Sequence, residues 1–242
     1  MSFSLSRRHL IQCACCLPVA GVATGLPFAA IAADPTTPRT TLNPDQALAV
    51  LREGNTSFST DSPIRSAVGR QRRLELALSQ APFVVLVSCS DSRVPPELLF
   101  GRGLGEMFIV RNAGNTVDTT ALGSIEYAVS QLGVPLIVVM GHQRCGAVVA
   151  AVDVVENNAF YPGAIGSMIE PIVPAVLAAK AEGKGDLIEM SVRRNVRRTV
   201  DRLRTASEPT LLNPLAEGKL RIVGAYYSLE DGAVDFFDLE RS

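Results

Sequence analysis

Three continuous apolar runs constrain the fold of this chain more than any other feature. They occupy residues 83–87, 107–110 and 136–140, and none of them alternates between apolar and polar positions. A strand of a parallel sheet is covered on both faces and is therefore apolar along its whole length. Segments with helical spacing separate the runs, most clearly residues 119–132. This βαβ order predicts an α/β fold with a central, mostly parallel β-sheet flanked by helices.

Further helices are predicted before and after these runs. Asn43-Pro44-Asp45 has the character of a helix start, with a capping side chain, a proline in the first turn and then an acid. A second helix is predicted over about residues 66–80. The chain shows no internal repeat and no change of composition, so residues 43–242 are expected to form a single domain. The other predicted elements are helices over residues 145–156, 167–182 and 186–204, and a C-terminal hairpin over residues 220–237 that turns at Glu230, Asp231 and Gly232.

The N-terminal segment has the features of an export signal. Arg7-Arg8 is a twin-arginine pair, residues 10–33 are uncharged, and Ala30-Ile31-Ala32 fits a small-residue cleavage site. We therefore expect a cleaved signal peptide over residues 1–32, a linker over residues 33–42 and an exported, periplasmic protein.

Two other interpretations of this segment fit it less well. A membrane anchor is disfavoured because prolines and glycines interrupt the apolar run, so we expect no stable membrane span after cleavage. The other is a lipoprotein acylated at Cys13, Cys15 or Cys16, although the residues around these cysteines fit that pattern poorly.

The charge of the chain does not indicate a nucleic-acid partner. The formal net charge is -1, and removal of Arg7 and Arg8 leaves 21 basic against 24 acidic residues, or -3. The arginine-rich stretch over residues 193–204 could suggest a polyanion. Val192 and Val196 begin an apolar stripe through it, which favours the solvated face of an amphipathic helix instead.

Outside the signal, the chain keeps one histidine and two cysteines. Cys89 follows the first apolar run, and His142 and Cys145 follow the third. Because the carboxyl ends of parallel strands meet at one edge of a sheet, the three side chains are expected to converge. Two thiols and an imidazole are preferred ligands of zinc, and a site with three protein ligands keeps a fourth position for water. The sequence therefore predicts one zinc ion per chain on these residues.

Asp91 and Arg93 follow the first cysteine closely and allow two states of the site. If Asp91 ligates the metal, the site is closed and inert. If Arg93 holds Asp91 in a bidentate contact, water takes the fourth position and Asp91 accepts its hydrogen bond. The metal would then lower the pKa of that water to about 7.

Two segments carry a family resemblance. CSDSRVPPELLFGRGLGEMFIVRNAGN, over residues 89–115, and GHQRCGAV, over residues 141–148, resemble the signature of bacterial β-class carbonic anhydrases. The resemblance implies a carbonate dehydratase with zinc on the three predicted ligands and an Asp91–Arg93 dyad beside it. It also implies that zinc-bound hydroxide attacks carbon dioxide, giving bicarbonate and a proton.

The same resemblance assigns a substrate pocket and a partner. Gln80, nine residues before the first cysteine, matches the amide that hydrogen-bonds the substrate oxygens. Phe108 and Tyr127 match an aromatic wall that the family forms across a dimer interface. The resemblance thus implies a homodimer or a dimer of dimers, with the N-terminal helices packed on the partner. Alternatively, Phe108 is a core strand residue and Tyr127 a helix residue whose hydroxyl is bonded nearby.

The chain departs from parts of the family in two ways. The subgroup with a non-catalytic bicarbonate site has a tryptophan where this chain has Leu86, and this chain has no tryptophan. We therefore expect no regulation of that kind, with Asp91 off the metal in the working state. The mature chain also has no histidine besides the ligand, so proton export would need Asp91, Tyr127, water or buffer.

Three alternatives to carbon dioxide hydration follow from the same residues. An enzyme of this architecture could hydrolyse carbonyl sulfide or carbon disulfide, which are similar linear electrophiles. A zinc-binding module would hold the metal without catalysis. In an oxidising compartment, Cys89 and Cys145 could instead form a disulfide.

Overall fold

The structure is a computed structural model that describes residues 37–62, 64–205 and 208–237. The predicted export signal over residues 1–32 and the first part of the predicted linker lie outside the described residues.

A mixed sheet forms the centre of the molecule, as the apolar runs predicted. The described residues give five strands in the order β2-β1-β3-β4-β5, in which the first four are parallel and β5 is antiparallel to β4. The pair β4 and β5 is the predicted C-terminal hairpin, and β4 also extends the parallel sheet beside β3. The strands are β1 (Val84–Cys89), β2 (Met107–Asn112), β3 (Leu136–His142), β4 (Arg221–Tyr227) and β5 (Val234–Phe237).

Helices surround this sheet. The first begins where the sequence predicted, because Asn43 accepts from the backbone N–H of Gln46 while the Gln46 side chain accepts from the Asn43 backbone. The helices are α1 (Pro44–Ser59), α2 (Arg70–Leu76), α3 (Pro96–Leu99), α4 (Thr119–Ser130), α5 (Gly146–Asn157), α6 (Ala164–Ile169), α7 (Val173–Glu182), α8 (Leu187–Arg204) and α9 (Pro209–Ala216), with a 3-10 turn at Glu170–Ile172.

Two of the predicted helices differ in extent. The helix expected over residues 66–80 is only the seven-residue α2, and every one of its residues is at least partly exposed. A helix without a buried face has little tertiary packing to extend it. The segment over residues 167–182 is divided into α6, the 3-10 turn and α7, since Pro171 and Pro174 lack backbone N–H donors.

Helices cover both faces of the inner strands β1 and β3, and every residue of these two strands is buried, whereas the edge strand β2 is only half-buried and so differs from the prediction. On one face, α4, α8 and α9 pack against side chains such as Val85, Ile137 and Val139. On the other, α1 and α3 pack against Leu86, Val138 and their neighbours. A fully buried side chain of this size stabilises the fold by about 1.5–3 kcal/mol. The valine stripe of α8 is buried, which confirms the predicted amphipathic helix.

The N-terminal helices were predicted to pack on a second copy of the chain. Within one chain, only the contacts that they make with their own sheet can be described. Ala47, Leu48 and Leu51 bury the apolar face of α1 against the sheet of the same chain. The side chain of Leu74 in α2 is exposed. Packing of these helices on a second copy stays a prediction.

One described segment is long and apolar enough to span a membrane by length and composition alone. It covers Ala164–Glu182, the region of α6 and α7. Core helices of soluble proteins pass the same test, and Ile169, Ile172 and Val176 of this segment are buried in the protein core. One such segment is therefore weak evidence for a membrane span.

Candidate metal centre

The three predicted metal ligands meet at the carboxyl end of two neighbouring strands. Cys89 is the last residue of β1, His142 is the last residue of β3, and Cys145 precedes the first turn of α5. All three are buried, and their ligand atoms lie within 4.8 Å of one another. The parallel pairing of β1 with β3 brings together residues that are more than fifty positions apart in the chain.

The close approach of α8 shapes the end of β3. A Cβ atom on Gly141 would lie 2.6 Å from Cγ1 of Val192 and 2.9 Å from Cγ2 of Val196. Only glycine lets the helix pack this tightly beside the strand, and the next residue is the ligand His142. The packing of α8 against Gly141 therefore helps to position the backbone of His142 at the end of β3.

The donor atoms fit a tetrahedral zinc site. The sulfur atoms of Cys89 and Cys145 are 3.9 Å apart, and both cysteines are free thiols. Two sulfurs on one tetrahedral zinc, each at about 2.3 Å, would be about 3.8 Å apart. The residues present are thus spaced for the ion without rearrangement.

The imidazole of His142 is oriented for the same role. Its Nδ1 lies 3.0 Å from the backbone carbonyl oxygen of Gln143. Because a carbonyl only accepts, Nδ1 carries the proton and Nε2 keeps its lone pair. Nε2 is buried and has no hydrogen-bond partner among the described residues, as expected of a nitrogen that a metal will satisfy.

The pKa values of the two thiols are shifted in opposite directions. The hydrogen bond from Cys145 lowers the pKa of Cys89 well below its ordinary value, and a contact with His142 and the backbone N–H of Gly114 adds to this. The same hydrogen bond, together with burial, raises the pKa of Cys145. The Cys89 thiol is therefore the first of the pair to lose its proton, and metal binding favours the thiolate form of both.

The loop that contains Gly114 is held by a distant helix. Gly114 has a φ of +81°, and a Cβ there would lie 2.6 Å from Cδ1 of Ile172, so this position requires glycine. The Asn195 side chain of α8 donates to the Gly114 carbonyl at 2.8 Å. Sequence reasoning missed Asn195. The available signal was a polar residue next to Val196 in the buried stripe of α8.

Asp91 is paired with Arg93 as the spacing suggested. Nε of Arg93 donates to Oδ1 at 2.9 Å and Nη2 donates to Oδ2 at 2.8 Å, while the Arg93 backbone N–H also reaches Oδ1 at 2.9 Å. These bonds hold the pKa of the Asp91 carboxyl well below its usual range. Oδ2 is also 3.9 Å from Nε2 of His142. The carboxylate therefore stands beside the ligand group while the guanidinium binds it.

Two further side chains support the ligand loops and were not predicted. Arg111 of β2 donates to the backbone carbonyls of Cys89 and Asp91, each at 2.8 Å. The Gln143 side chain, next to His142, accepts from the backbone N–H of Leu229 at 3.0 Å. It thereby ties the ligand loop to the C-terminal hairpin. Both residues lie inside the signature segments, but no pattern in the sequence marks their contacts.

The three predicted pocket residues lie away from the metal ligands of the same chain. Phe108 pairs with Val85 in the sheet, whereas Cys89 pairs with Asn112. Phe108 is thus four residues, or about 13 Å, along the strand from the site. The rings of Phe108 and Tyr127 are 6.3 Å apart between centroids. Gln80 is exposed and precedes β1, at the end of the strand opposite to Cys89.

Phe108 and Tyr127 were interpreted either as a pocket wall at a dimer interface or as ordinary strand and helix residues. Their positions in one chain distinguish these interpretations only in part. Phe108 packs partly against the core, as a strand residue would, while the Tyr127 side chain is 50% exposed. A role for either residue in a site, or for Gln80, therefore needs a second copy of the chain and stays a prediction.

Comparison with known proteins agrees with this geometry. The sequence model described as carbonic anhydrase matches residues 84–234. A carbonic anhydrase of Mycolicibacterium smegmatis is 40% identical over 193 residues, which cover 80% of this chain and 93% of that protein. Carbonic anhydrase 2 of Mycobacterium tuberculosis is 41% identical over 190 residues, covering 78% of this chain and 91% of that protein. A tetrameric β-carbonic anhydrase structure from Sordaria macrospora superposes with a TM-score of 0.62 at 27% identity, covering 68% of this chain and 85% of that one.

Proposed function

The chain belongs to the β-class carbonic anhydrase family and is a carbonate dehydratase with zinc as its cofactor, and we propose that it hydrates carbon dioxide reversibly at Cys89, His142 and Cys145 with Asp91 and Arg93 as its working dyad. The observation that carries the proposal is the position of the Asp91 carboxylate. It stands 3.9 Å from the unpartnered His142 nitrogen, yet Arg93 binds both of its oxygens.

This position gives Asp91 a defined task. When bound, zinc supplies a Lewis acid that makes hydroxide available near neutral pH. Asp91 remains ionised because of Arg93, so its oxygens only accept hydrogen bonds. Asp91 would therefore accept a hydrogen bond from a reacting O–H group and orient that group toward the substrate. Arg93 would hold the carboxylate away from the metal ligands.

We also propose that the site is completed by a second copy. Phe108 lies on β2, which is an edge strand of the sheet formed by the described residues, and Tyr127 beside it is half exposed. A β-carbonic anhydrase of similar structure is tetrameric. In the proposed dimer, Gln80, Phe108 and Tyr127 of one copy line the pocket of the other, where the aromatic rings give carbon dioxide an apolar wall.

Stopped-flow hydration of carbon dioxide on protein of known zinc content tests the function. The wild-type protein should show zinc-dependent hydration, and Asp91→Asn should lose at least about tenfold in kcat/KM, or about 1.4 kcal/mol, with zinc retained. Asp153→Asn is the matched control, because that carboxylate lies within α5 and accepts from Asn157 and Tyr161 rather than from residues of the ligand loops. An Asp91→Asn enzyme as active as the wild type would contradict the dyad. Turnover of carbonyl sulfide or carbon disulfide without hydration of carbon dioxide would reject the substrate.

The export prediction is a separate proposal. We infer that the twin-arginine signal at Arg7-Arg8 moves the folded protein, so that zinc loads onto reduced Cys89 and Cys145 before they meet an oxidising compartment. In cell fractionation, the wild-type chain should appear in the periplasm, and the Arg7→Lys, Arg8→Lys variant should stay inside the cell. Equal export of both chains would reject the proposal.

A further inference from the structure

Arg111 forms hydrogen bonds to two residues of the site, Cys89 and Asp91, which have different roles. Its Nε donates to the carbonyl oxygen of Cys89, and its Nη2 donates to the carbonyl oxygen of Asp91, each at 2.8 Å. Cys89 is a metal ligand, and Asp91 is the proposed acceptor of the dyad. A guanidinium is planar and presents its N–H donors in a fixed fork, so it sets the separation of the two carbonyls. A lysine ammonium, on a flexible stem, does not.

The rest of the turn depends on the same conformation. The backbone N–H of Ser90 donates to the carbonyl of Asn112 at 3.1 Å, and that of Val94 donates to the carbonyl of Asp91 at 3.0 Å. The Asp91 carbonyl therefore accepts from both Val94 and Arg111. The Asp91 peptide is held on its carbonyl side by these two bonds, and rotation of that peptide would break both of them.

Such a rotation has a chemical consequence, because Asp91 lies so close to the ligand group. Oδ2 is only 3.9 Å from the lone-pair nitrogen of His142. A rotation of this turn would change the distance between the carboxylate and the ligand group, and a closer approach would let the carboxylate bind the metal. Arg93 opposes this by holding the carboxylate, and it comes from the same turn as Asp91. Arg111 belongs to the neighbouring strand β2 and supports the turn by hydrogen bonds from outside it.

We propose that Arg111 is a positioning residue that holds the Cys89–Asp91 turn so that the Asp91 carboxylate faces Arg93 and stays off the metal. This inference rests on the proposed function of the dyad. Arg111 touches neither the ligand atoms nor the carboxylate, and it acts through the backbone of the two residues. Without the fork, Asp91 becomes a fourth ligand and closes the site.

The test combines activity with zinc release in Arg111→Gln and Arg111→Lys. Both variants should lose at least about tenfold in kcat/KM. Zinc should leave them for a chromophoric chelator no faster than it leaves the wild type, because a carboxylate has replaced water on the metal. A merely structural role would lower the unfolding midpoint and speed zinc release together with the loss of activity. Cobalt-substituted Arg111→Gln should also show a visible absorption spectrum that differs from the wild-type spectrum, since one ligand has changed.

A double mutant separates action through Asp91 from other effects. In an Asp91→Asn background, Arg111→Gln should reduce kcat/KM by less than about twofold, because the residue through which it acts is already changed. Arg102→Gln is the matched control, since Nε of Arg102 also donates to a backbone carbonyl at 2.8 Å, that of Phe100, away from the ligands. This control should keep wild-type activity and spectrum.

The experiments distinguish a failure of the Arg111 inference from a failure of the proposed function. If the wild type hydrates carbon dioxide and Asp91→Asn is impaired while Arg111→Gln is fully active, the Arg111 inference alone is wrong. Fold-losses of the two changes that multiply in the double mutant, or faster zinc release from Arg111→Gln, would also overturn it. If the wild type does not hydrate carbon dioxide, the proposed function itself fails.

Discussion

Replacing Gly141 by alanine is the sharpest packing test of the ligand position. Gly141 is buried in β3 directly before His142, and its missing side chain is the space into which α8 packs. The added methyl would lie 2.6 Å from Val192 Cγ1 and 2.9 Å from Val196 Cγ2. Ordinary contacts between carbon atoms are about 3.5–4.0 Å, so either the valines or the helix must move by roughly 1 Å.

The size of the effect follows from the surroundings. Val192 and Val196 are 1% and 0% exposed, and their branched side chains have no free space into which to rotate. Overpacking of a buried position costs about 1–3 kcal/mol. For a domain of this size, 1 kcal/mol changes the unfolding midpoint by about 2–4 °C, so a decrease of about 2–12 °C is expected. Because α8 also carries Asn195, its displacement should loosen the Gly114 loop and speed zinc release.

Thermal unfolding and zinc release to a chelator measure both effects. Gly146→Ala is the matched control, since no atom lies within 4 Å of the added methyl and Gly146 opens α5 beside Cys145. It should be neutral or slightly stabilising, by at most about 1 kcal/mol. Adding Val192→Ala to Gly141→Ala should cost less than the sum of the two single changes. A Gly141→Ala protein as stable as the control would refute the close packing of α8 on β3.

The other predictions concern the metal and the buried supports of its loops. Removing zinc with a chelator should abolish hydration and expose Cys89 and Cys145 to thiol reagents, and added zinc should restore activity; activity that survives full removal of zinc would contradict the site. Metal-free protein treated with hydrogen peroxide should form a Cys89–Cys145 disulfide, detected as a linked peptide, because the sulfurs are 3.9 Å apart. Asn195→Ala leaves the carbonyl of Gly114 without its donor and should cost about 1–3 kcal/mol in the free energy of unfolding. Gln143→Ala should speed zinc release while leaving the secondary structure, measured by circular dichroism, unchanged.

The centre of the sheet was predictable because the inner strands β1 and β3 are buried on both faces. A run such as residues 136–140 is too short for a buried helix and rich in β-branched residues, which favours a covered strand, and the structure extends it to His142. The predicted helix start at Asn43 was also correct, since a capping box depends on residues three positions apart. Features that depend on local chemistry could therefore be read from the chain.

Element boundaries were less predictable where the tertiary environment decides them. The pattern over residues 66–80 is helical, but only Arg70–Leu76 forms a helix, because the segment buries none of its apolar side chains within the described chain. The short helix α9 was missed. Its Leu211 is fully buried under α4 and α8, a contact that no local pattern reveals.

The residue types at the site were determined by the sequence alone, since two thiols, one imidazole and an Asp–Arg pair have few chemical uses together. The order of the strands decided that these residues meet, and it also placed Phe108 about 13 Å along β1 and β2 from the ligands of its own chain. Only the tertiary structure showed the bonds that support the site, from Arg111 to Cys89 and from Asn195 to Gly114, which join residues 22 and 81 positions apart. The physical reason is that a ligand's chemistry belongs to its own side chain. Its position depends on hydrogen bonds and packing from distant elements, and those exist only once the chain has folded.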